Sequence, residues 1–153
     1  MRDDIFNLLH QHLSNGSDIA LLLGDLGVFQ ARHLFKDFPN RIFNLGILEP
    51  SMISFAAGLS KGGTTSVVYS ITPFITERAL EQIKLDICYN KNKVLLLSAG
   101  GTCDYTDLGP THHCPSDISV IDNYSSISWF LPFTSEQSVL ITNNSLSNSF
   151  SNS

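Results

Sequence analysis

Glu49 is an isolated acid within an apolar, glycine-containing run, FNLGILEPSMISFAAGL, which covers residues 43–59. An unpaired charge in apolar surroundings is costly. Acids held in such surroundings are concentrated at functional sites, where they hold or transfer protons. The structural alternative is a glutamate in the first turn of a helix, which the helix dipole stabilises by ~0.3–1 kcal/mol. The residue by itself leaves both interpretations open.

A second group of reactive side chains lies in the segment GPTHHC, residues 109–114. A zinc site built from His112, His113 and Cys114 is disfavoured, because adjacent residues do not readily converge on one tetrahedral ion and no remote pair has ligand spacing. We therefore expect no metal site. A nucleophilic pair of Cys103 and His112 is conceivable, but no oxyanion or elbow motif accompanies it.

The elements that must position these residues alternate between apolar strands and amphipathic helices. Strands are predicted at 19–23, 41–46, 64–70 and 93–99, and helices at 3–14, 30–38, 50–61 and 75–90. Solidly apolar strands that alternate with helices indicate a parallel sheet covered on both faces. The predicted fold class is therefore α/β, a three-layer arrangement of one parallel sheet with helices on both faces.

The polar residues that interrupt this pattern share one predicted location. Asp25, Glu49, Ser70 and the loop that begins at Gly100 each follow a predicted strand. In open α/β sheets, ligands bind outside the carboxyl ends of the strands. The sequence thus predicts a binding site at that edge.

Sequence composition and pattern divide the chain into three predicted parts. Residues 1–17 are predicted to be an N-terminal helix and lead-in, and residues 18–141 the main domain. Within the latter, 126–141 could add a strand and a short helix. The stretch TNNSLSNSFSNS, residues 142–153, is low in complexity and is predicted to be disordered.

Composition also excludes several classes of partner. The net charge of −5, without a Lys/Arg cluster, argues against nucleic acid. No apolar run reaches the ~20 residues needed to cross a bilayer, so we expect no membrane association. The odd number of cysteines, 3, favours a reduced, cytoplasmic protein over a disulfide scaffold. A charged content of 15%, against the usual ~25%, suggests that part of the surface meets another protein.

Three segments together resemble the pyrimidine-binding (Pyr) domain of transketolase-like thiamine diphosphate enzymes. In family members that are split into two chains, the resemblance is to the C-terminal-type subunit. The resemblance covers roughly residues 18–122. The matching segments are FPNRIFNLGILEPSMISFAAGLSKGG, VVYSITPFITERALEQIKLDICY and LGPTHHCPSDI.

The resemblance implies a role for Glu49. In these enzymes, a glutamate in a GIxExxM segment hydrogen-bonds the ring nitrogen N1′ of the cofactor's aminopyrimidine and so activates the cofactor. Gly46, Glu49 and Met52 stand in that pattern here. The chemistry needs a carboxyl group in a dry pocket, where it can share a proton with the ring. The resemblance therefore implies catalytic and cofactor-binding roles for Glu49.

Other cofactor contacts follow from the same resemblance. Phe74 in SITPF corresponds to the aromatic ring that lies against the pyrimidine, with Ile71 as the alternative and an ordinary core phenylalanine as the structural interpretation. Asp25, in GDLG, ends the first strand and points toward cofactor or substrate, or else serves as the N-cap of the next helix. Arg78 reaches substrate phosphate or pairs with Glu81 along the helix, and the structural role is slightly favoured.

The GPTHH segment implies substrate contacts. His112 aligns with a histidine that approaches the reacting carbon and the substrate hydroxyls, where it can move protons. His113 is a neighbouring candidate for substrate contact. Gly100 or Gly101, and Leu108, replace a histidine and an acid of housekeeping transketolase, so the usual sugar-phosphate contacts do not carry over and the acceptor is open.

The resemblance also implies what must be supplied from outside. The cofactor would be thiamine diphosphate with Mg²⁺, and the diphosphate and metal would be held mainly by the PP domain of a partner subunit, because this chain lacks a convincing diphosphate module. We expect it to be inactive alone, and to work with a PP-domain subunit, as a homodimer or both, on a sugar-type substrate. The alternative is a catalytically degenerate Pyr-domain protein that acts as an assembly or regulatory subunit.

Overall fold

The computed structural model describes the backbone of residues 1–150 and the side chains of residues 1–147. The four strands are β1 Ile19–Leu23, β2 Ile42–Asn44, β3 Thr65–Ile71 and β4 Val94–Ala99. The α-helices are α1 Arg2–Ser14, α2 Arg32–Asp37, α3 Glu49–Lys61, α4 Thr72–Thr76, α5 Leu80–Gln82, α6 Asp117–Ile121 and α7 Ser135–Phe150, with a π-helical segment at Ile83–Tyr89 and a 3-10 turn at Thr106–Leu108. None of these helices is long and apolar enough to cross a membrane.

The four strands form one parallel sheet in the order β2-β1-β3-β4. All five residues of β1 are buried, as are the first six of β3, which explains their unbroken apolar or small-residue character. The chain moves outward from β1 to β2, then crosses to β3 on the opposite side of β1. Strand order therefore reverses between β1 and β3, which is where such sheets bind ligands.

Helices cover both faces of the sheet, and each face has its own core. On one face, α1, α2 and α7 contribute buried residues such as Phe6, Leu34 and Leu146. On the other face, α3, α6 and the segment from α4 to Tyr89 pack around Met52 and Ile83. The predicted three-layer α/β fold is confirmed.

The helix predicted at 75–90 is present in broken form. Its predicted apolar stripe, Ile75, Ala79, Ile83 and Ile87, is buried. The chain nevertheless forms α4, a turn, α5 and the π-helical segment in succession. Because α4 begins at Thr72 directly after β3, with Pro73 in its first turn, the helix starts three residues earlier than the periodicity suggested.

Residues 142–150 correct the prediction of a disordered tail. They continue α7, which begins at Ser135, and Leu146 and Thr142 are buried against the rest of the protein. The side chain of His12 on α1 hydrogen-bonds Asn143 at 2.9 Å. Packing on α1 thus stabilises a helix whose Asn/Ser-rich composition is unfavourable in isolation. Residues 151–153, also predicted to be disordered, lie outside the described residues.

We expect Leu146→Ala to lower the free energy of unfolding by about 2–5 kcal/mol, because it removes a fully buried side chain from the core. Leu140→Ala, at a position 60% exposed on the same helix, is the matched control and should change it by less than about 0.5 kcal/mol. Urea unfolding followed by circular dichroism measures both. Equal effects would mean that α7 does not form part of the core.

Candidate functional site

The carboxyl edge of the sheet brings together most of the residues singled out from the sequence. Ile71 ends β3, Phe74 lies in α4 directly after it, and Glu49 is the first residue of α3. Arg78 contacts both Glu49 and Phe74, and His112 contacts Phe74. The edge predicted to bind a ligand is therefore the edge at which these side chains meet.

Glu49 is completely buried, with no exposed surface. Its Oε1 atom accepts a hydrogen bond of 3.0 Å from the hydroxyl of Ser70, near the end of β3. Its Oε2 atom accepts one of 2.8 Å from the guanidinium of Arg78. A carboxylate has about four acceptor positions, so these two donors leave acceptor capacity on the group.

Phe74 carries a polar group on its face and another ring at its edge. The guanidinium carbon of Arg78 lies 4.0 Å from the centre of the phenyl ring, a cation–π arrangement. The ring of His112 packs against Phe74 edge-on at 5.1 Å between centroids. Beside these side chains opens a cleft of about 330 Å³, lined by Pro73, Phe74, Glu77, Arg78 and Thr111.

Arg78 pairs with a different residue from the one that the sequence favoured. The sequence slightly favours pairing with Glu81 along the helix. Arg78 lies instead in the turn between α4 and α5, where the helical i,i+3 spacing does not apply, and it pairs with Glu49, 29 residues earlier. The pair between the partly exposed side chain of Arg78 and the buried carboxylate of Glu49 places Arg78 at the candidate site.

His112 is half-buried in the loop that follows β4. Its Nδ1 atom lies 3.0 Å from the hydroxyl of Thr111, and its ring lies 6.1 Å from that of Tyr105. The position beside Phe74 and the cleft agrees with contact to a ligand. His113 is also half-buried, and its Nε2 atom is buried without a hydrogen-bond partner among the described residues.

Asp117 holds the loop of residues 100–116 in place. Its carboxylate accepts hydrogen bonds from the backbone N–H groups of Thr102, at 2.9 Å, and Ile118, at 2.7 Å. A β-bridge joins Thr102 to Cys114 within the same loop. The position of His112 is therefore set by contacts distributed across the loop and α6.

Cys114 is a structural thiol at the base of this loop. Burial raises its pKa, and its sulfur lies 3.3 Å from the hydroxyl of Thr76 on α4. A thiol kept protonated is a poor nucleophile. Cys114 therefore connects the loop to α4, and its surroundings do not activate it.

We expect Gly100→Ala to lower the free energy of unfolding by about 2–4 kcal/mol, because Gly100 combines a φ of +67° with a close neighbour. A Cβ atom there would lie 2.4 Å from the ring of Tyr105. Gly16→Ala is the control: φ is +85° and no atom of the described residues lies within 4 Å of the added Cβ, so only the backbone strain of about 1–2 kcal/mol is expected. Urea unfolding distinguishes the two, and equal losses would contradict the clash with Tyr105.

Asp25 lies at the same edge, tied to the end of β2. Its backbone N–H donates to Oδ1 of Asn44 at 3.0 Å, and the amide of Asn44 donates back to its carboxylate at 3.1 Å. This pairing holds Asp25 in a left-handed conformation, φ +57°. The alternative of an N-cap is wrong, because α2 begins at Arg32 with Ala31 before it.

The sequence pattern did not identify two contributors to the site. In the sequence, Ser70 was noted only as a polar residue near the end of an apolar strand. The structure shows that its hydroxyl hydrogen-bonds Glu49. Nothing in the sequence marks Asp117 as part of the site, apart from its position a few residues after the two histidines. Its function depends on a loop whose path the sequence does not reveal.

Several exposed apolar side chains precede Glu49 or lie on α3 and the π-helical segment next to it. Ile47 and Leu48 precede Glu49 and are 66% and 57% exposed. Phe55 on α3 is also exposed, as are Leu85 and Tyr89 on the neighbouring π-helical segment. We call these five residues the α3 face. Exposed apolar groups of this kind mark interaction surfaces.

The fold and the site define an α/β domain with a buried acid and an aromatic ring at the carboxyl edge of its parallel sheet. The chain belongs to the transketolase pyrimidine-binding domain family, whose family model, "Transketolase, pyrimidine binding domain", matches residues 2–149. The matched region is wider than the limits of 18–141 expected from the sequence, which stay a prediction.

Individual relatives agree with this membership. The chain is 36% identical over 121 residues to one subunit of the apulose-4-phosphate transketolase of Actinobacillus succinogenes, covering 78% of this chain and 39% of that protein. It is 36% identical over 98 residues to "1-deoxy-D-xylulose-5-phosphate synthase 1" of Geobacter sulfurreducens, covering 63% of this chain and 15% of that protein. A solved structure titled "Split gene transketolase, inactive beta4 tetramer" matches with a TM-score of 0.83 and 26% identity, covering 95% of this chain and 47% of that chain. The chain thus spans less than half the length of these relatives.

Proposed function

We propose that this chain is the pyrimidine-binding part of a split, thiamine diphosphate-dependent transketolase that transfers two-carbon ketol units. The observation that carries the proposal is the fully buried carboxylate of Glu49 at the carboxyl edge of the sheet, paired with Arg78, whose guanidinium lies over the ring of Phe74. A buried acid and an aromatic ring that contact the same guanidinium fit an aminopyrimidine, which needs a carboxyl partner at one edge and a stacking surface. The names of the relatives, among them a transketolase subunit and a split-gene transketolase, support the same function.

Four residues would divide the work on the cofactor. Glu49, oriented by Ser70, would hold the proton shared with the ring nitrogen of the aminopyrimidine. Phe74 and Ile71 would support the heterocycle, and Asp25 would line the cofactor side of the edge. Bound thiamine diphosphate supplies carbanion chemistry that side chains do not provide.

Substrate contacts would come from the cleft beside Phe74. His112, fixed by Thr111 and Phe74, would move protons at the substrate hydroxyls, with His113 as its neighbour. Arg78, 41% exposed, would face the anionic part of a sugar-type substrate.

The described residues fit only one end of the cofactor. Within residues 1–150, no group of three or more His, Cys, Asp or Glu side chains could hold a metal ion. We therefore propose that a PP-domain partner subunit holds the diphosphate and Mg²⁺, and that this chain is inactive alone. The α3 face, which begins directly before Glu49, is where we expect a partner or a second copy to bind.

We also propose a cytoplasmic location. All three cysteines, Cys88, Cys103 and Cys114, are free thiols. Disulfides are rare where glutathione and thioredoxin keep thiols reduced, so free thiols are typical of that compartment. Localisation of a tagged chain by microscopy tests this assignment.

A second candidate function is a catalytically degenerate subunit that assembles or regulates an enzyme. The observation that favours it is that both oxygens of Glu49 already have protein partners, Ser70 and Arg78. On this alternative, complex formation would be independent of cofactor.

Mixing the chain with a PP-domain subunit encoded in the same genome tests the proposal. Calorimetry with thiamine diphosphate and Mg²⁺ should show strong binding only for the mixture, accompanied by ketol transfer. The chain alone and the partner alone are the controls. A stable mixture that neither binds the cofactor nor turns over would favour the second candidate, and equally tight binding by the chain alone would contradict the division of the site.

A further inference from the structure

Arg78 makes two contacts at once at the candidate site. Its Nη1 atom donates to Oε2 of Glu49 at 2.8 Å, and its guanidinium carbon lies 4.0 Å above the centre of the Phe74 ring. The guanidinium is flat and carries hydrogen-bond donors at its edge. A flat, donor-bearing group thus lies over the aromatic ring while one of its N–H groups bonds the buried acid.

These are the two contacts that the proposed function assigns to the aminopyrimidine. A stacked plane needs about 3.5–4 Å of separation from its neighbour. With the guanidinium already 4.0 Å from the ring of Phe74, no second plane fits between them. Arg78 and an aminopyrimidine therefore exclude each other from the same place.

We propose that Arg78 is a placeholder, which occupies the aminopyrimidine position in the cofactor-free chain and leaves it when the ligand enters. The inference rests on the proposed function and deepens it, since it specifies which side chain occupies the aminopyrimidine position before the cofactor binds. The placeholder keeps the buried carboxylate of Glu49 paired, a condition whose loss is costly.

The two partners differ in their freedom to move. Glu49 has no exposed surface and is held from the other side by Ser70. The side chain of Arg78 is 41% exposed, and its base lies in the turn between α4 and α5. The cleft of about 330 Å³ beside it gives the guanidinium room to withdraw. Since the ligand would itself bond Glu49, the exchange would not leave the acid unpaired.

A placeholder has a measurable consequence for affinity. The apparent dissociation constant of a ligand is the intrinsic one divided by the fraction of molecules whose site is open. If Arg78 is withdrawn in about one molecule in ten, its removal tightens binding about tenfold. An arginine that held the ligand would have the opposite effect.

The test measures binding of the aminopyrimidine half alone, 4-amino-5-hydroxymethyl-2-methylpyrimidine, by NMR titration of the whole chain. Arg78→Met should bind this probe about tenfold more tightly than the wild type. Arg32→Met is the matched control, because the guanidinium of Arg32, at the start of α2 in the helical layer on the opposite face of the sheet from α4, also lies over a phenylalanine ring, Phe29 at 4.3 Å, and its loss should leave the affinity unchanged. Unchanged or weaker binding by Arg78→Met, or binding by neither protein, would overturn the placeholder.

A second variant covers a failure of Arg78→Met to fold. Arg78→Lys retains a positive charge for Glu49 but lacks the flat face, so it should also bind the probe more tightly than the wild type. In the wild type, the Nε–H signal of Arg78 should shift as the probe saturates the site, and an unmoved signal at saturation would overturn the inference. Failure of the proposed function is distinguishable, since it appears as a mixture with the PP-domain subunit that lacks thiamine-dependent turnover.

Discussion

Glu49→Gln should lower turnover of the reconstituted enzyme by about 10²–10⁴-fold, the range typical for loss of a positioned proton-transfer group. Glutamine keeps the shape of the side chain and can still accept a hydrogen bond from Ser70, so the fold should persist. An amide cannot hold the proton that a carboxyl group shares with a ring nitrogen. The measurement is kcat for ketol transfer, together with the rate at which the proton on C2 of the bound cofactor exchanges with deuterium.

Glu81→Gln provides the matched control for this experiment. It makes the same chemical change at an exposed position a few residues beyond Arg78. Turnover should remain within about twofold of the wild type, as for other surface substitutions. Normal turnover and normal deuterium exchange in Glu49→Gln would refute the proposed role of the acid.

His112→Gln should lower kcat/KM by about 10²–10⁴-fold if the histidine moves protons at the substrate. Its ring packs on Phe74 beside the cleft, while Thr111 fixes its orientation, so the side chain is positioned before a ligand arrives. The expected loss concerns the substrate steps. Binding of thiamine diphosphate and deuterium exchange at the cofactor should therefore be close to the wild type.

His33→Gln controls for the loss of a histidine as such. His33 lies on α2, in the helical layer on the opposite face of the sheet from α4. Its replacement should leave kcat/KM within about twofold of the wild type. If His112→Gln weakened cofactor binding and exchange as much as turnover, the histidine would act on the cofactor site and the substrate role would be wrong.

The sequence predicted the sheet because its information is local. The segment IALLL is apolar throughout, and a strand buried on both faces favours apolar side chains at every position. Predicted strand β1 matches the observed one residue for residue. The same logic gave the edge of the site, since polar residues that close buried strands must lie at the carboxyl ends.

The sequence also indicated that Glu49 is special, because a charge within an apolar run requires compensation. It could not name the compensating groups. Ser70 and Arg78 lie 21 and 29 residues further along, and only the crossover through α3 and β3 brings them to the carboxylate. For Arg78, local spacing suggested Glu81 as the partner, because an unbroken helix would have placed the two side chains next to each other.

The composition of the Asn/Ser-rich tail likewise did not predict that it forms a helix. Residues 142–150 have little helical preference, yet they continue α7, with Leu146 in the core shared with α1. Contacts between chain ends outweigh weak local propensity, because most helical stability comes from tertiary packing.

The amino-acid sequence alone therefore determined the strands, the layers and the edge at which a ligand would bind, since each depends on the pattern of neighbouring residues. The tertiary structure alone decided which groups surround Glu49, where Arg78 rests and whether the C-terminal residues pack. Those outcomes depend on distances between residues far apart in the chain, which no local pattern encodes.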